Sequence, residues 1–289
     1  MTNLLIIGCG DIALRTLPLL QGRYRLYALV RDPAKADGLR KLGVTPIVGN
    51  LDDRQSLAKI AGLADVVLHF APPERLGHID TRTRNLLSAL STRLLPARLI
   101  YISTSGVYGD CGGDLVSETR PVNPQSDRAR LRVSAERQIR KWAMRNHVNA
   151  NILRAPGIIA EDRLPVDRIK AGTPAIVASE DGYSNHIHAD DLARIVIVAL
   201  RYAKPNRVYH TVDDDEMKMG DYFDVVADAF KLPRPPRLSR AEAQRAVSPM
   251  MWSFMNESRR LTNLRMKQEL KVTLRYPSVG SVLKTSTRA

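Results

Sequence analysis

The start of this chain constrains its fold most. An apolar run from Asn3 leads straight into Gly8-Cys9-Gly10-Asp11-Ile12-Ala13, and a helical pattern through Leu14, Leu17 and Leu20 follows. Strand, glycine turn and helix in that order make a G-x-G-x-x-A arrangement, whose parts each have a physical role. Gly8 permits the tight turn, Gly10 lets backbone come close to a pyrophosphate, and Ala13 lets helix and strand pack tightly. The first helical turn, with Asp11 and Ile12, offers free N–H groups and partial positive charge to an anion. The alternative is the same turn binding nothing.

The next residues continue the alternation. Short apolar or β-branched runs are expected to be strands at Asn3–Gly8, Arg25–Val30, Thr45–Gly49, Asp65–Phe70, Arg98–Ser103, Asn149–Leu153 and Arg207–Thr211. Helical patterns fall at Asp11–Gln21, Arg54–Gly62, Ile79–Ser91, Asp127–Arg145 and Asp190–Ala203. Alternating strands and helices with right-handed crossovers predict an α/β fold, a doubly wound parallel (Rossmann) sheet. Residues 155–185 read as Gly- and Pro-rich loop, and beyond Val212 the chain reads as helical and basic. The expected division is a dinucleotide-binding domain at 1–155 and 186–212, with a smaller, mostly helical substrate lobe at 156–185 and 213–289.

Composition narrows the function. At 289 residues with 44% hydrophobic and 26% charged, the chain can bury a sizeable core and is neither disordered nor coiled-coil. Its apolar runs fall far short of the ~20 residues of a membrane span. Two cysteines, Cys9 and Cys111, cannot make a disulfide scaffold, so a reducing, cytoplasmic setting is expected. Ile6-Ile7-Gly8-Cys9 has the look of a lipoprotein cleavage box, but no Lys or Arg precedes it. The net charge is +14, and residues 231–289 alone hold thirteen Lys/Arg against three Glu. A small anionic substrate, a solvated basic face and a nucleic acid all suit that excess. No zinc finger, basic zipper or aromatic RNA platform supports the last. No metal-ligand spacing occurs.

Further candidates for holding a dinucleotide lie at expected carboxyl ends of strands. Arg31 directly follows the second strand and suits the 2′-phosphate of NADP, whereas Asp32 suits the ribose hydroxyls of NAD. Arg31 comes first, so NADP is the expected cofactor, with NAD the alternative. After the third strand Asn50 is placed to bond adenine and Leu51 to cover its face. After the fourth, Ala71-Pro72 offers an apolar backbone wall.

Three later segments carry a family resemblance. Tyr101-Ile102-Ser103-Thr104-Ser105-Gly106-Val107-Tyr108-Gly109, Ile152-Leu153-Arg154-Ala155-Pro156-Gly157-Ile158 and His186-Ile187-His188-Ala189-Asp190-Asp191 stand in order. They resemble segments of the extended short-chain dehydrogenase/reductases, the NAD-dependent epimerase/dehydratase family, whose members usually show GxxGxxG where this chain has GxGxxA. The resemblance implies that Thr104 is the Ser/Thr that positions a substrate hydroxyl, with Ser105 beside it, and that Pro156 lies near the nicotinamide. It also implies a Tyr-x-x-x-Lys pair on the next helix. Here Arg128 stands at the tyrosine position and Arg132 at the lysine position. Arginine keeps its proton at any workable pH and cannot serve as acid/base, although Arg132 retains the charge to hold ribose or phosphate. A replacement proton donor would have to be Tyr108, Tyr183, His186 or His188. Structural roles are expected for Tyr108, packing its loop, and for His188, beside a helix start. Two functions stay open: an NAD(P)-dependent oxidoreductase or epimerase acting on a hydroxyl or carbonyl of a small anionic substrate, and a regulatory protein that binds NAD(P) without turnover. Nucleic-acid binding rests on charge alone.

Overall fold

A computed structural model of the chain describes residues 1–74 and 77–286. The first strand, β1 (Thr2–Ile7), carries four consecutive fully buried residues, Leu4 to Ile7. Side chains alternate across a strand, so Leu4 and Ile6 enter one helix layer while Leu5 and Ile7 enter the other. A strand buried on both faces belongs inside a parallel sheet. The alternation continues through α1 (Asp11–Leu20), β2 (Tyr24–Val30), α2 (Ala36–Lys41), β3 (Val44–Val48), β4 (Val66–His69), α3 (Thr81–Leu90) and β5 (Arg98–Thr104). After the short β6 (Leu115–Val116) come α4 (Asp127–Asn146) and β7 (Asn149–Ala155). Then follow β8 (Gly157–Ile159), α5 (Val166–Lys170), β9 (Ala175–Ile176), β10 (Tyr183–Ser184), β11 (His186–His188), α6 (Ala189–Tyr202) and β12 (Val208–His210). The last part holds β13 (Met217–Lys218), α7 (Met219–Ala229), β14 (Arg237–Leu238), α8 (Arg240–Ala246), α9 (Pro249–Met255), β15 (Arg260–Leu261), α10 (Leu264–Leu270) and α11 (Val279–Ser286).

Seven strands form one parallel sheet in the order β12-β7-β5-β4-β1-β2-β3. This is the doubly wound α/β fold that the alternation predicted. One layer packs α1, α6 and α10 on it through Leu17, Leu20, Leu192, Val196, Met266 and Leu270. The other uses α3 and α4, through Leu86, Leu90, Ile139 and Trp142. Strand order reverses between β1 and β4, and the crevice beyond their carboxyl ends is where such sheets bind ligands. A separate core joins Ile159 and Ile169 to Phe223, Val226, Val279 and Val282. It unites the two stretches expected to make the smaller lobe, whose residues 287–289 lie outside the described chain. α10 departs from that division, since Met266 and Leu270 pack on the main sheet. No helix among the described residues is long and apolar enough to cross a membrane.

Three local expectations are corrected. The helix expected at Arg54–Gly62 is a 3-10 turn over Gln55–Ile60. Residues 155–185 are built of short strands and α5, because β8, β9 and β10 each pair with a later segment: β11, β14 and β13. The chain beyond Val212, expected to be helical, is interrupted at Arg260–Leu261 by β15, parallel to β6. Its backbone is claimed by the 111–116 loop, where Cys111 and Gly113 N–H donate to the Ser258 carbonyl at 2.9 and 3.1 Å.

One buried ion pair fixes the carboxyl end of β7 against α4. Arg154 meets Glu136 in a two-pronged contact at 3.0 and 2.6 Å, with both side chains about 5% exposed or less. Removing one member strands the other charge in the interior. Glu136→Ala should therefore lower stability by about 3–5 kcal/mol, measured by urea unfolding; a loss typical of a surface site would refute the pair's structural role.

Candidate functional site

The glycine turn is shaped by close packing on one side and open space on the other. Gly8 adopts φ +95°, and a Cβ there would fall 2.4 Å from the Ala71 backbone N. Only glycine fits. The approach is fixed by Phe70 and Ala71 N–H groups, which donate to the Ile7 carbonyl at 2.8 and 2.9 Å. Gly10 caps α1 in extended conformation (φ −91°) with no side-chain cap, and a Cβ on it would meet nothing within 4 Å. That open face looks into a cleft of about 600 Å³ running along the switch point.

Most of the sequence-predicted cofactor residues line this cleft: Gly8, Gly10, Asp11, Ile12, Arg31, Asn50, Leu51, Ala71, Pro72 and Arg132. Several of their polar groups are already committed. The Asp32 carboxylate accepts from Ala34 N–H at 3.0 Å and caps a 3-10 turn, and Asn50 Oδ1 accepts from Asp52 N–H at 3.1 Å. Asp11 is neutralised by Arg15 at 3.0 Å and Arg163 at 3.1 Å. Arg31 and the nearby Lys35, which sequence reasoning passed over, bring positive charge to the end of β2. An uncapped helix start, a backbone-only approach at Gly10 and cations at the far end suit a pyrophosphate-linked dinucleotide.

A second cavity of about 710 Å³ adjoins the first, and the two share Ile102, Arg132, Ile158 and Arg163. Thr104, Ser105, Arg128 and Pro156 line it. Register explains the meeting: Thr104 at the end of β5 sits beside Ala155 at the end of β7, and Gly157 in β8 pairs with His186 in β11. Thr104 Oγ1 accepts from Gly106 N–H at 3.2 Å, and the buried Ser103 hydroxyl has no partner among the described residues. Arg132 is held by Tyr101 Oη at 3.0 Å and the Ile102 carbonyl at 2.8 Å, at the junction of the cavities.

The candidate proton donors separate sharply. Tyr108 does not line either cavity. Its ring is buried, its Oη contacts His210 Nε2 at 2.6 Å, and Arg154 donates to it at 2.6 Å. His210 Nδ1 lies 3.0 Å from the Thr262 carbonyl, so that nitrogen carries the proton and Nε2 accepts from the tyrosine. Burial holds the His210 pKa down to about 3 and pushes the Tyr108 phenol up to about 12. This is a structural lock. His188 caps α6, where its Nδ1 accepts from Asp190 N–H at 3.2 Å, and its ring stacks on Tyr276 at 3.7 Å. His186 and Tyr183 do line the second cavity. His186 is bonded through Nε2 to Ser184 Oγ at 2.9 Å, its Nδ1 has no partner, and burial pushes its pKa down to about 4. Cys111 is buried, and burial pushes its thiol pKa up, away from the reactive thiolate.

Sequence reasoning missed Arg163, Arg168 and Tyr222, all in the second cavity. The first two sit in the stretch read as loop, and Tyr222 in a helix whose partner strands are remote. Tyr222 packs on His186 with ring centroids 4.2 Å apart. Among the described residues no cluster of His, Cys, Asp or Glu is grouped to hold a metal ion.

Sheet order, glycine turn and a groove crossing the switch point define an α/β protein of the Rossmann-like class. The chain belongs to the NAD dependent epimerase/dehydratase family, whose sequence profile matches residues 13–211. The match begins at Ala13, just past the two glycines in which this chain departs from the usual pattern. Among curated proteins it is 24% identical over 240 residues to GDP-6-deoxy-D-mannose reductase of Pseudomonas aeruginosa, covering 76% of this chain and 78% of that one. A conserved protein of unknown function from Silicibacter pomeroyi shares the fold at TM-score 0.81 and 26% identity, over 100% of this chain and 99% of the other. A dTDP-glucose 4,6-dehydratase from Streptomyces venezuelae, solved with NAD, aligns at TM-score 0.78 and 18% identity, over 99% and 96%.

Asp213, whose N–H donates to the carbonyl of the cavity-lining His186, is buried with its Oδ2 unpartnered among the described residues. Burial and the neighbouring Asp215 carboxylate push its pKa up to about 8. An unfolded Asp releases its proton near pH ~4, whereas the folded one keeps it to about 8. Its contribution to stability is thus full in acid and is lost as pH climbs through that window. Asp213→Asn cannot ionise, so its stability relative to the parent should rise between pH ~4 and ~8 and level off above. Denaturant titrations at stepped pH measure this; a pH-independent difference would contradict it.

Proposed function

We propose that this chain is an NAD(P)-dependent oxidoreductase or epimerase-like protein acting on a hydroxyl or carbonyl of a small anionic substrate. One observation carries the reading: a groove that begins at the open face of Gly10 continues, past Arg132, into a second cavity rich in arginine. Curated and structural relatives named for nucleotide-sugar chemistry support a phosphate-bearing substrate. A bound nicotinamide would supply or accept a hydride. The chain's part is to hold and orient: the α1 start and Gly10 backbone take the pyrophosphate, Leu51 and the Ala71-Pro72 wall enclose the adenine end, and Pro156 borders the reacting end. Arg132 holds ribose or phosphate by charge, and Thr104 and Ser105 position the substrate oxygen.

The proton step separates this reading from a second one. Arg128 and Arg132 stand where the family's Tyr and Lys would be, and neither exchanges a proton at neutral pH. Tyr108 is locked away from the groove, leaving His186, Tyr183, Tyr222 and Glu257 as the groups other than arginine that could exchange a proton in the second cavity. The arginine pair favours a protein that binds NAD(P) with little or no turnover of ordinary nucleotide sugars. Hydride exchange with a panel of hydroxyl and carbonyl substrates decides between the two. Brisk turnover that survives loss of each of those four groups would exclude both accounts of the proton.

Two measurements test the cofactor assignment. Gly10→Val meets no protein atom near its Cβ, so its unfolding midpoint should stay within a few degrees of the parent while calorimetric NAD(P) binding disappears; undiminished binding would sink the assignment. NADP should bind more tightly than NAD because Arg31, which makes no hydrogen bond or ion pair among the described residues, points its charge to a 2′-phosphate while Asp32 is committed to its turn. Arg31→Ala should cost about 1–3 kcal/mol toward NADP and far less toward NAD. Equal weakening of both would show that Arg31 does not discriminate.

A further inference from the structure

Five arginines line the second cavity, Arg128, Arg132, Arg163, Arg168 and Arg259, against one carboxylate, Glu257. Three of the cations are accounted for. Arg259 pairs with Glu257 at 2.7 Å and Arg163 with Asp11 at 3.1 Å, while Arg132 donates to Tyr101 and to the Ile102 carbonyl at the boundary with the cofactor cleft. Arg128 and Arg168 are different. Among the described residues neither has a carboxylate in salt-bridge contact. Each is instead placed over an aromatic ring: Arg128 at 4.2 Å from the centroid of Phe254, and Arg168 at 4.2 Å from that of Phe223. Arg168 also reaches Met255 Sδ at 3.4 Å, and its buried Nε has no acceptor.

Phe254 and Met255 are consecutive residues at the end of α9, so one helix end touches both guanidiniums. Burial pushes the pKa of Arg168 down to about 10 and that of Arg128 down as well. Loss of water is the leading cause of both shifts; at Arg128, whose side chain keeps an exposed part, the Glu257 carboxylate offsets some of it and the neighbouring Arg132 cation adds to it. The ring faces orient the guanidiniums and recover only part of that solvation. A bound anion would restore the balance.

We propose that Arg128 and Arg168 form the substrate-anion site of this cavity, and that its ligand carries a dianionic phosphate group rather than a single carboxylate. The assignment rests on the second cavity being the substrate side of the dinucleotide groove. Two unpaired cations match a charge of about −2, the charge of a phosphate monoester near neutral pH. Guanidinium forks also fit tetrahedral phosphate oxygens in pairs. Arg128 then serves as a binding residue at the position where the family resemblance calls for an acid/base.

The test is calorimetric titration of the full chain, saturated with NADP, with inorganic phosphate and with acetate at constant ionic strength. Phosphate should bind saturably and at least about tenfold more tightly than acetate. Arg128→Gln and Arg168→Gln should each weaken phosphate by about tenfold or more, while NADP affinity and unfolding midpoint stay near the parent's. Arg128→Lys and Arg168→Lys, which keep the charge and lose the fork, should fall between. Absence of saturable phosphate binding, or binding indifferent to both arginines, overturns the site. Equal affinity for phosphate and acetate overturns the dianion. If NADP fails to bind, the dinucleotide reading fails by itself, and dependence of phosphate on these two arginines still reports on the anion site.

Discussion

The close approach of Gly8 to Ala71 is the constraint on which the site depends. A side chain at Gly8 would collide with the backbone leaving β4, so the chain can turn there only without one. The contact sets the end of β1 against the end of β4 at the point where strand order reverses, and it aims the start of α1 across the crevice. Two glycines spaced by one residue therefore do opposite jobs. One is required because protein fills the space beside it, the other because protein leaves that space empty.

How much of this was legible in the sequence depends on the range of the interactions involved. The sheet was legible because β1, β4, β5 and β7 are buried on both faces and α1, α3 and α6 carry an apolar stripe, so its pattern is local. The first cleft was legible for the same reason, since Gly8–Ala13, Arg31, Asn50, Leu51, Ala71 and Pro72 all sit at strand ends that local pattern locates. The second cavity was not. Part of its wall comes from two-residue and three-residue strands whose partners lie far along the chain, β8 with β11 and β10 with β13. Such segments have no period to detect. Tyr108 shows the reverse case: its motif was visible, but only the buried contacts with Arg154 and His210 place its hydroxyl away from the groove.

The basic excess at the end of the chain also resolves into separate parts. Arg234 and Arg237 are paired with Asp228 and Asp224, and Arg260 reaches Glu216. Arg259 braces the Gly109 carbonyl and Glu257. Much of the excess is thus consumed in holding the smaller lobe together.

The wiring of the second cavity has a consequence for the order of assembly. Arg259 closes on Gly109 and Asn185 donates to the Arg259 carbonyl, spans of 150 and 74 residues. Contacts that far apart repay their loop-closure entropy only after both ends exist and the intervening chain is ordered. The strands from β1 to β5, by contrast, can pair as they emerge from synthesis. The first cleft therefore gains most of its walls while the C-terminal third is still being made. The second cavity closes last, so a chain stalled or clipped before residue 259 would keep the glycine turn and lack the far wall of the adjoining cavity.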